Sequence, residues 1–355
     1  MTKALITRPL SIVGGGLAGL TLGIALRGRG VPVTVFEAGK YPRHRVCGEF
    51  ISGRGSQVLE ELGLRGLFLK AGAIEARTTI FFAGRAQSPV RELPEPALCL
   101  SRFVMDKMLA DKFAGTGGEI QPQRWREDFA EGVVCATGRR LQPVSQSVLQ
   151  SGKKGRQWFG LKVHARNVPL EADLEMHLLA NGYVGLCRLG GGEVNICGLF
   201  RRRHGDAAGA PSAGWLRGTA GTSLHEKLAG AEFLEDSFCS VAGLWLRPQR
   251  ALETSEVRIG DALTMIPPVT GNGMSLAFES AGLAAGPLAA YSCGGMTWAQ
   301  AQQTVARACD GSFARRLGWA RWLQALMFSP VMRTPAGAFL LRRDGFWKMM
   351  FEKTR

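Results

Sequence analysis

The spacing of apolar and polar positions gives the chain three textures. From Ser11 to Glu37 a short apolar run, a glycine turn, a longer run with helical spacing and a second apolar run follow in order. That is the pattern of a strand, a helix and a strand. The α/β texture continues with a helix over 56–64, Val58, Leu59 and Leu62 on one face, and short strands over 74–82 and 86–90. A helix over 100–118, with Phe103, Leu109 and Phe113 inward, and a strand over 132–136 follow. From about 157 to 200 short apolar stretches alternate with turns, as in an antiparallel sheet. Residues 201–221 read as a loop and 223–234 as a helix. A strand over 257–261, a loop over 265–274 and a small-residue helix over 275–286 restore the first texture, with Pro287 marking an end or a kink. Residues 296–355 read as helical.

The turn after the first strand carries chemistry. Gly14, Gly16 and Gly19 have the G-x-G-x-x-G spacing of a dinucleotide-binding turn. Gly14 permits the sharp turn, Gly16 lets backbone approach a pyrophosphate, and Gly19 lets the helix pack closely on the strand. The helix, starting at Leu17 and Ala18, then directs free N–H groups and its positive dipole end at the phosphates. Glu37 follows Gly19 by eighteen residues, at the end of the second strand, where a carboxylate accepts from a ribose diol. A glycine triplet alone is common; a triplet with strand, helix and acid in place predicts dinucleotide binding.

Composition narrows the partners. The chain has 355 residues, 46% hydrophobic and 21% charged, so it can bury a large core. The net charge of +15 accompanies no nucleic-acid motif, and a folded enzyme with a basic face is the expectation, with no nucleic acid as partner. Eight cysteines include no C-x-x-C pair and fit neither zinc nor a disulfide framework; reduced thiols in a cytoplasmic protein and no metal are expected. The apolar run 12–26 is broken by the glycine turn and is not read as a signal peptide.

Two basic stretches stand out. The loop after Glu37 holds Ala38, Arg43, His44, Arg45, Val46 and Cys47. Arg43 and His44 read equally well as a solvated loop. Cys47 is the candidate catalytic residue, since nearby positive charge favours a thiolate. Residues 315–355 hold nine Lys or Arg against two acids, with Trp319, Trp322 and Trp347. Residues 339–351 form either an amphipathic helix touching a membrane surface or, more simply, a helix packing its aromatic stripe on the core.

With these pieces in view, the chain resembles the FAD-dependent oxidoreductases of the glutathione-reductase-like fold, in the branch of the geranylgeranyl reductases and aromatic-hydroxylase monooxygenases. The resemblance rests on the first turn with Glu37, the loop YPRHRVCGEFIS, the helix start at Arg102 and GDALTMIPPVTGNGM from Gly260. It implies an α/β architecture: a Rossmann-type FAD-binding domain over 1–75, 97–150 and 246–300, a substrate-binding antiparallel sheet over 76–96 and 151–245, and a C-terminal helical segment over 301–355. It carries FAD contacts onto Ala38, Arg45, Val46, Cys47, Arg102, Ala136 and Gly138, the ribityl chain onto Gly260 and Asp261, and the flavin pyrimidine end onto Pro268, Gly271, Asn272, Gly273 and Met274. A helix N-terminus there suits the negative charge of reduced flavin. Tyr183, Leu186, Asn195 and Cys197 are candidates to line the substrate pocket, with core packing as the alternative for each.

The departures from the family are specific. Thr137-Gly138 stands where Asp-Gly often occurs, and Ala262-Leu263 where Ala-His often follows Gly-Asp. Both speak against efficient direct use of NADPH, leaving NADPH or NADH as a transient electron donor. The Trp-rich motif of flavin halogenases is missing, which speaks against halogenation. The expectation is therefore a monooxygenase delivering oxygen from the flavin C4a position to a hydrophobic polyketide, isoprenoid or aromatic substrate. A carbon–carbon double-bond reductase, a dehydrogenase and a membrane-docked electron-transfer flavoprotein remain alternatives.

Overall fold

The computed structural model describes residues 7–124, 128–141, 156–203, 212–244, 246 and 248–355. The expected domain boundaries at 150–151 and 245, and the part of the expected loop at 204–211, lie outside the described residues.

Two sheets organise the molecule. The first is parallel. β1 (Leu10–Val13) pairs with β2 (Val33–Glu37), reached through helix α1 (Leu17–Arg27), and with β8 (Val133–Cys135) on its other side. β7 (Glu119–Pro122) and β14 (Val257–Arg258) complete the order β14-β8-β1-β2-β7. Val13 and Val35 are wholly buried and ten of the eleven residues of α1 are buried, as strands covered on both faces require. The expected strand over 257–261 stops at Arg258, because Gly260 takes φ +60° and opens a tight turn over Gly260–Ala262.

The second sheet is large, mixed and mostly antiparallel, in the order β13-β9-β12-β11-β10-β4-β6-β3. Its strands are β3 (Phe50–Ile51), β4 (Ile74–Ala83), β6 (Arg91–Cys99), β9 (Arg156–Arg166), β10 (Leu174–Leu178), β11 (Gly182–Arg188), β12 (Val194–Arg203) and β13 (Glu232–Ala242), with β5 (Ala86–Gln87) on the side of β4. Between β3 and β4 lie helices α2 (Arg54–Glu61) and α3 (Arg65–Lys70). The expected helix over 223–234 is corrected here. Only α5 (Ser223–Lys227) is helical, and the apolar positions from Glu232 join the edge of the sheet beside β9.

Helix α4 (Arg102–Gly115) starts on the Ser101 side chain, which accepts from the Val104 N–H. Met105, Asp106, Leu109, Ala110 and Phe113 are buried, but Phe103, expected inward, is 38% exposed. It sits in the first turn, beyond the core, and stacks on His44 instead.

Helix α6 (Gly273–Ser292) runs through Pro287. The proline lies on a partly exposed side, where the carbonyl it frees can turn towards water. The basic C-terminal region is three helices: α7 (Trp298–Met327), α8 (Pro335–Arg342) and α9 (Asp344–Thr354). The stretch 339–351 is not one helix, because Arg343 takes an extended conformation between α8 and α9. Leu323, Met327, Leu341, Phe346 and Met350 pack with Tyr183 and Leu199 of the large sheet. Trp347 meets Phe81 of β4 edge to face at 5.8 Å between ring centres. Among the described residues no helix is long and apolar enough to cross a membrane.

Candidate active site

A single cavity of about 540 Å³ runs between the two sheets and under the C-terminal helices. One end is built from backbone. Gly14, at φ +113°, leaves β1 so tightly that a Cβ would lie 2.2 Å from the Ala136 carbonyl oxygen. Gly19 packs α1 so closely that its Cβ would meet the Gly14 carbonyl oxygen at 2.0 Å. Gly19 therefore shapes the turn from inside and does not line the cavity, whereas Gly14, Gly16, Leu17 and Ala18 do. A Cβ on Gly16 would touch no protein atom; it would point into the cavity, at the start of α1.

Glu37 closes this end, 6% exposed. Its carboxylate accepts from the Gly15 N–H at 2.9 Å and the Gly39 N–H at 2.6 Å, and pairs with Arg43 at 2.9 Å. Burial pushes its pKa up, but the Gly39 N–H and Arg43 outweigh burial and hold the group below the usual carboxylate range. Arg43 is thus no solvated loop residue.

The middle of the cavity is charged behind its surface. Asp106, fully buried on α4, receives Arg102 at 2.7 and 3.0 Å and Arg45 at 3.2 Å. Arg102 and Arg45 line the cavity with Ala38, Val46 and Cys47. The expectation of a Cys47 thiolate is corrected. Burial pushes the thiol above its ordinary value, and the Arg102 charge and hydrogen bond only partly oppose it. A neutral thiol facing a committed Arg102 is not an activated nucleophile.

Ala136, Gly138, Gly260, Asp261, Pro268, Gly271, Gly273 and Met274 also line the cavity, Ala136 beside Gly14 and Gly260 beside Ala18. Burial raises the Asp261 carboxyl, partly countered by Arg102, Arg139 and Arg45. Gly271, at φ +63°, admits Phe50, whose ring would lie 2.0 Å from a Cβ there. Asn272 does not face the cavity. It is buried, and its side-chain amide donates to the Thr354 carbonyl, tying the turn to the end of α9. Arg355 Nη1 donates to the Thr270 carbonyl at 3.1 Å beside it.

The far end is a chamber of side chains. Tyr183 lines it, with Trp347, Met350 and Phe351 from α9, and Cys197 lines the cavity further in, near Cys47 and Lys162. The Leu186 side chain instead packs in the core on the other face of the sheet, with Leu161, Val163 and Ile196. Tyr183 is 5% exposed, its hydroxyl has no partner among the described residues, and burial holds it neutral, so it is available as a donor in an apolar wall. Asn195 turns away; its amide holds the Cys47 carbonyl at 2.9 Å. The α9 wall was outside the sequence reading, because nothing local in 344–355 says which sheet it covers.

The residues present fit FAD. A helix N-terminus faces open space at Gly16, a Cβ there would occupy that space, and the cavity continues to a second helix start at Gly273 and Met274. The comparisons agree with this geometry. Residues 7–137 match the FAD binding domain family. No curated protein sequence matches the chain. Solved structures share the fold over nearly the whole chain. The flavin-dependent brominase Bmp2 aligns at TM-score 0.70 and 18% identity, over 98% of this chain and 94% of its own. PqsL of P. aeruginosa, solved with 2-aminobenzoylacetate, aligns at 0.70 and 17%, over 93% and 99%. The myxobacterial chondrochloren halogenase CndH aligns at 0.73 and 19%, over 98% and 90%. Fold and site together define a two-sheet α/β fold whose cavity fits FAD.

Proposed function

We propose that the protein is an FAD-dependent monooxygenase that hydroxylates an apolar small molecule. The observation that carries this reading is the continuity of one cavity from the glycine turn at Gly14–Gly16 to the apolar chamber under α9. A cofactor and an organic substrate would share one enclosed space. Bound and reduced, FAD would supply two electrons to O₂, one oxygen atom going to the substrate and the other to water.

The chain's own part is to bind, orient and exclude water. Gly16 and the first turn of α1 would hold the pyrophosphate, Glu37 the adenosine ribose, Asp261 the ribityl chain, and Gly273 and Met274 the pyrimidine end. The chamber of Trp347, Met350 and Phe351 would desolvate the substrate, and the Tyr183 hydroxyl would donate to one acceptor atom on it. Polyketide, isoprenoid and aromatic skeletons all meet that description. PqsL, which has a similar fold, was solved in complex with 2-aminobenzoylacetate, an aromatic ketone of this kind. Related folds are also halogenases, but the Trp-rich halogenase motif is missing from this sequence. Electrons would come from NADPH or NADH acting transiently, since the sequence has one dinucleotide turn. The neutral Cys47 thiol gives no support to thiol chemistry in a double-bond reductase.

The test is oxygen labelling. The FAD-loaded protein, reduced and supplied with ¹⁸O₂ and a panel of aryl ketones and prenylated phenols, is expected to give products carrying one ¹⁸O. Hydrogen peroxide alone with every probe, or a saturated product formed without oxygen, would sink the hydroxylase reading.

A further inference from the structure

Along one wall of the cavity, which His44 and Glu49 line, a set of titratable side chains touch one another, and the proposed reaction uses none of them. Glu49 is fully buried and held at φ +60°, a backbone region that strains a non-glycine residue. One carboxylate oxygen accepts from the Arg102 backbone N–H at 2.8 Å and lies 3.5 Å from Lys162 Nζ. The other is 2.6 Å from His164 Nε2. Lys162 has no exposed surface, and its Nζ stands 3.0 Å from His44 Nδ1. His44 lines the cavity. At the outer end His164 Nδ1 is 3.5 Å from Glu193, whose side chain is 26% exposed and is held by Arg166 at 3.1 Å.

The contacts therefore run unbroken from a solvent-facing carboxylate to the cavity. Apolar side chains could fill the same volume with no desolvation cost, so a stability role alone accounts poorly for so many buried charges. The groups facing His44 and Lys162 are Glu49, His164 and Glu193, with the thiols Cys197 and Cys239 beside Lys162. Burial, with the charges of Lys162 and His164, pulls His44 down to about 4, so at neutral pH its ring can accept at Nδ1 and does not hold a proton it receives.

We propose that Glu193, His164, Glu49, Lys162 and His44 form a proton relay that carries one proton per turnover from solvent to the cavity. What consumes the proton rests on the monooxygenase reading. A hydroxylation takes a C–H substrate, O₂, a hydride from a reduced nicotinamide and one proton, and gives the alcohol, water and the oxidised nicotinamide. The nicotinamide loses two electrons, O₂ gains them with two more from the C–H bond, and the single proton must come from solvent. His44 releases it into the cavity from Nε2 as Nδ1 takes one from Lys162. Glu193 takes a proton from water and passes it to His164 Nδ1, His164 Nε2 gives one to the Glu49 carboxylate, and Glu49 returns one to Lys162. Turnover of each imidazole ring restores its starting tautomer.

The test reads protons directly. The FAD-loaded protein, already reduced anaerobically, is mixed with O₂ in weakly buffered solution with a pH-indicator dye, and the uptake of one proton per flavin reoxidised is timed. In the wild-type protein uptake keeps pace with reoxidation. His164→Gln and Lys162→Met are expected to slow it about tenfold or more with FAD affinity kept, and added imidazole is expected to restore it in His44→Ala. Uptake at the wild-type rate in folded, yellow His164→Gln and Lys162→Met, or no imidazole rescue, would overturn the relay. Should the buried variants fail to fold, Glu193→Gln at the half-exposed end carries the test: slowed uptake supports the relay and an unchanged rate overturns it. Slow, rescuable uptake in a protein that makes no ¹⁸O product would keep the relay and reject the monooxygenase reading.

Discussion

The two ends of the cavity are made of different material. At the glycine end the walls are backbone: Gly14 and Gly19 leave no room for a Cβ, and Gly16 faces open space. At the chamber end they are side chains from elements far apart in sequence, Tyr183 from β11, Leu323 from α7 and Trp347 from α9. A backbone surface is set by local conformation and tolerates almost no substitution. A side-chain surface can change its shape one residue at a time, so ligand preference can vary there while the cofactor end stays fixed.

The largest expected effect lies between the two ends, behind the charged middle of the cavity. Asp106→Ala leaves Arg102 buried without its carboxylate, and should cost about 3–5 kcal/mol of stability. Urea unfolding measures it; a loss under 1 kcal/mol would show that the pair is not needed. Gly16→Val should abolish stoichiometric flavin, with affinity down about 100-fold or more, roughly 3 kcal/mol. Titration of the apoprotein by flavin fluorescence checks this, and normal affinity would break the assignment of the glycine end. At the chamber end Trp347→Ala should leave FAD affinity within about twofold yet raise the KM for an apolar substrate about tenfold, near 1.4 kcal/mol. Equal losses at both would mean that the two ends are not separable. Tyr183→Phe removes one neutral donor and should weaken substrates bearing an acceptor by about 1 kcal/mol, leaving hydrocarbons unaffected.

The smallest effect is a pH slope. Folded His44 titrates near 4, and His177 is likewise lowered from 6.5, in both cases chiefly by burial. The unfolded chain binds these protons first, so stability is full above about 6.5 and falls as pH drops towards 4. His44→Gln should flatten part of that slope in thermal melts, with His177 supplying the remainder.

The sequence was readable wherever function depended on local backbone. The spacing of Gly14, Gly16 and Gly19, and the Gly-Asp and Pro-x-x-G-x-G pieces near Gly260 and Gly271, marked the turns that meet the cavity. The β texture of 157–200 marked the large sheet. The strand at 232–242 was missed because an apolar run after a short helix has no local signal for the neighbour it will pair with. Cys47 was misread for a related reason: its charged neighbours are visible in sequence, while the burial that outweighs them is not.

What the sequence determined by itself was the nucleotide turn, the α/β class and the position of the β-rich insertion, because each follows from conformational preferences within a few residues. Only the tertiary structure decided that α9 walls the chamber, that Asn272 turns from the cavity to hold Thr354, and that Glu49, Lys162 and His164 meet behind His44. These are contacts between residues about eighty to more than a hundred positions apart, where burial and charge pairing are set by packing and no local pattern encodes them.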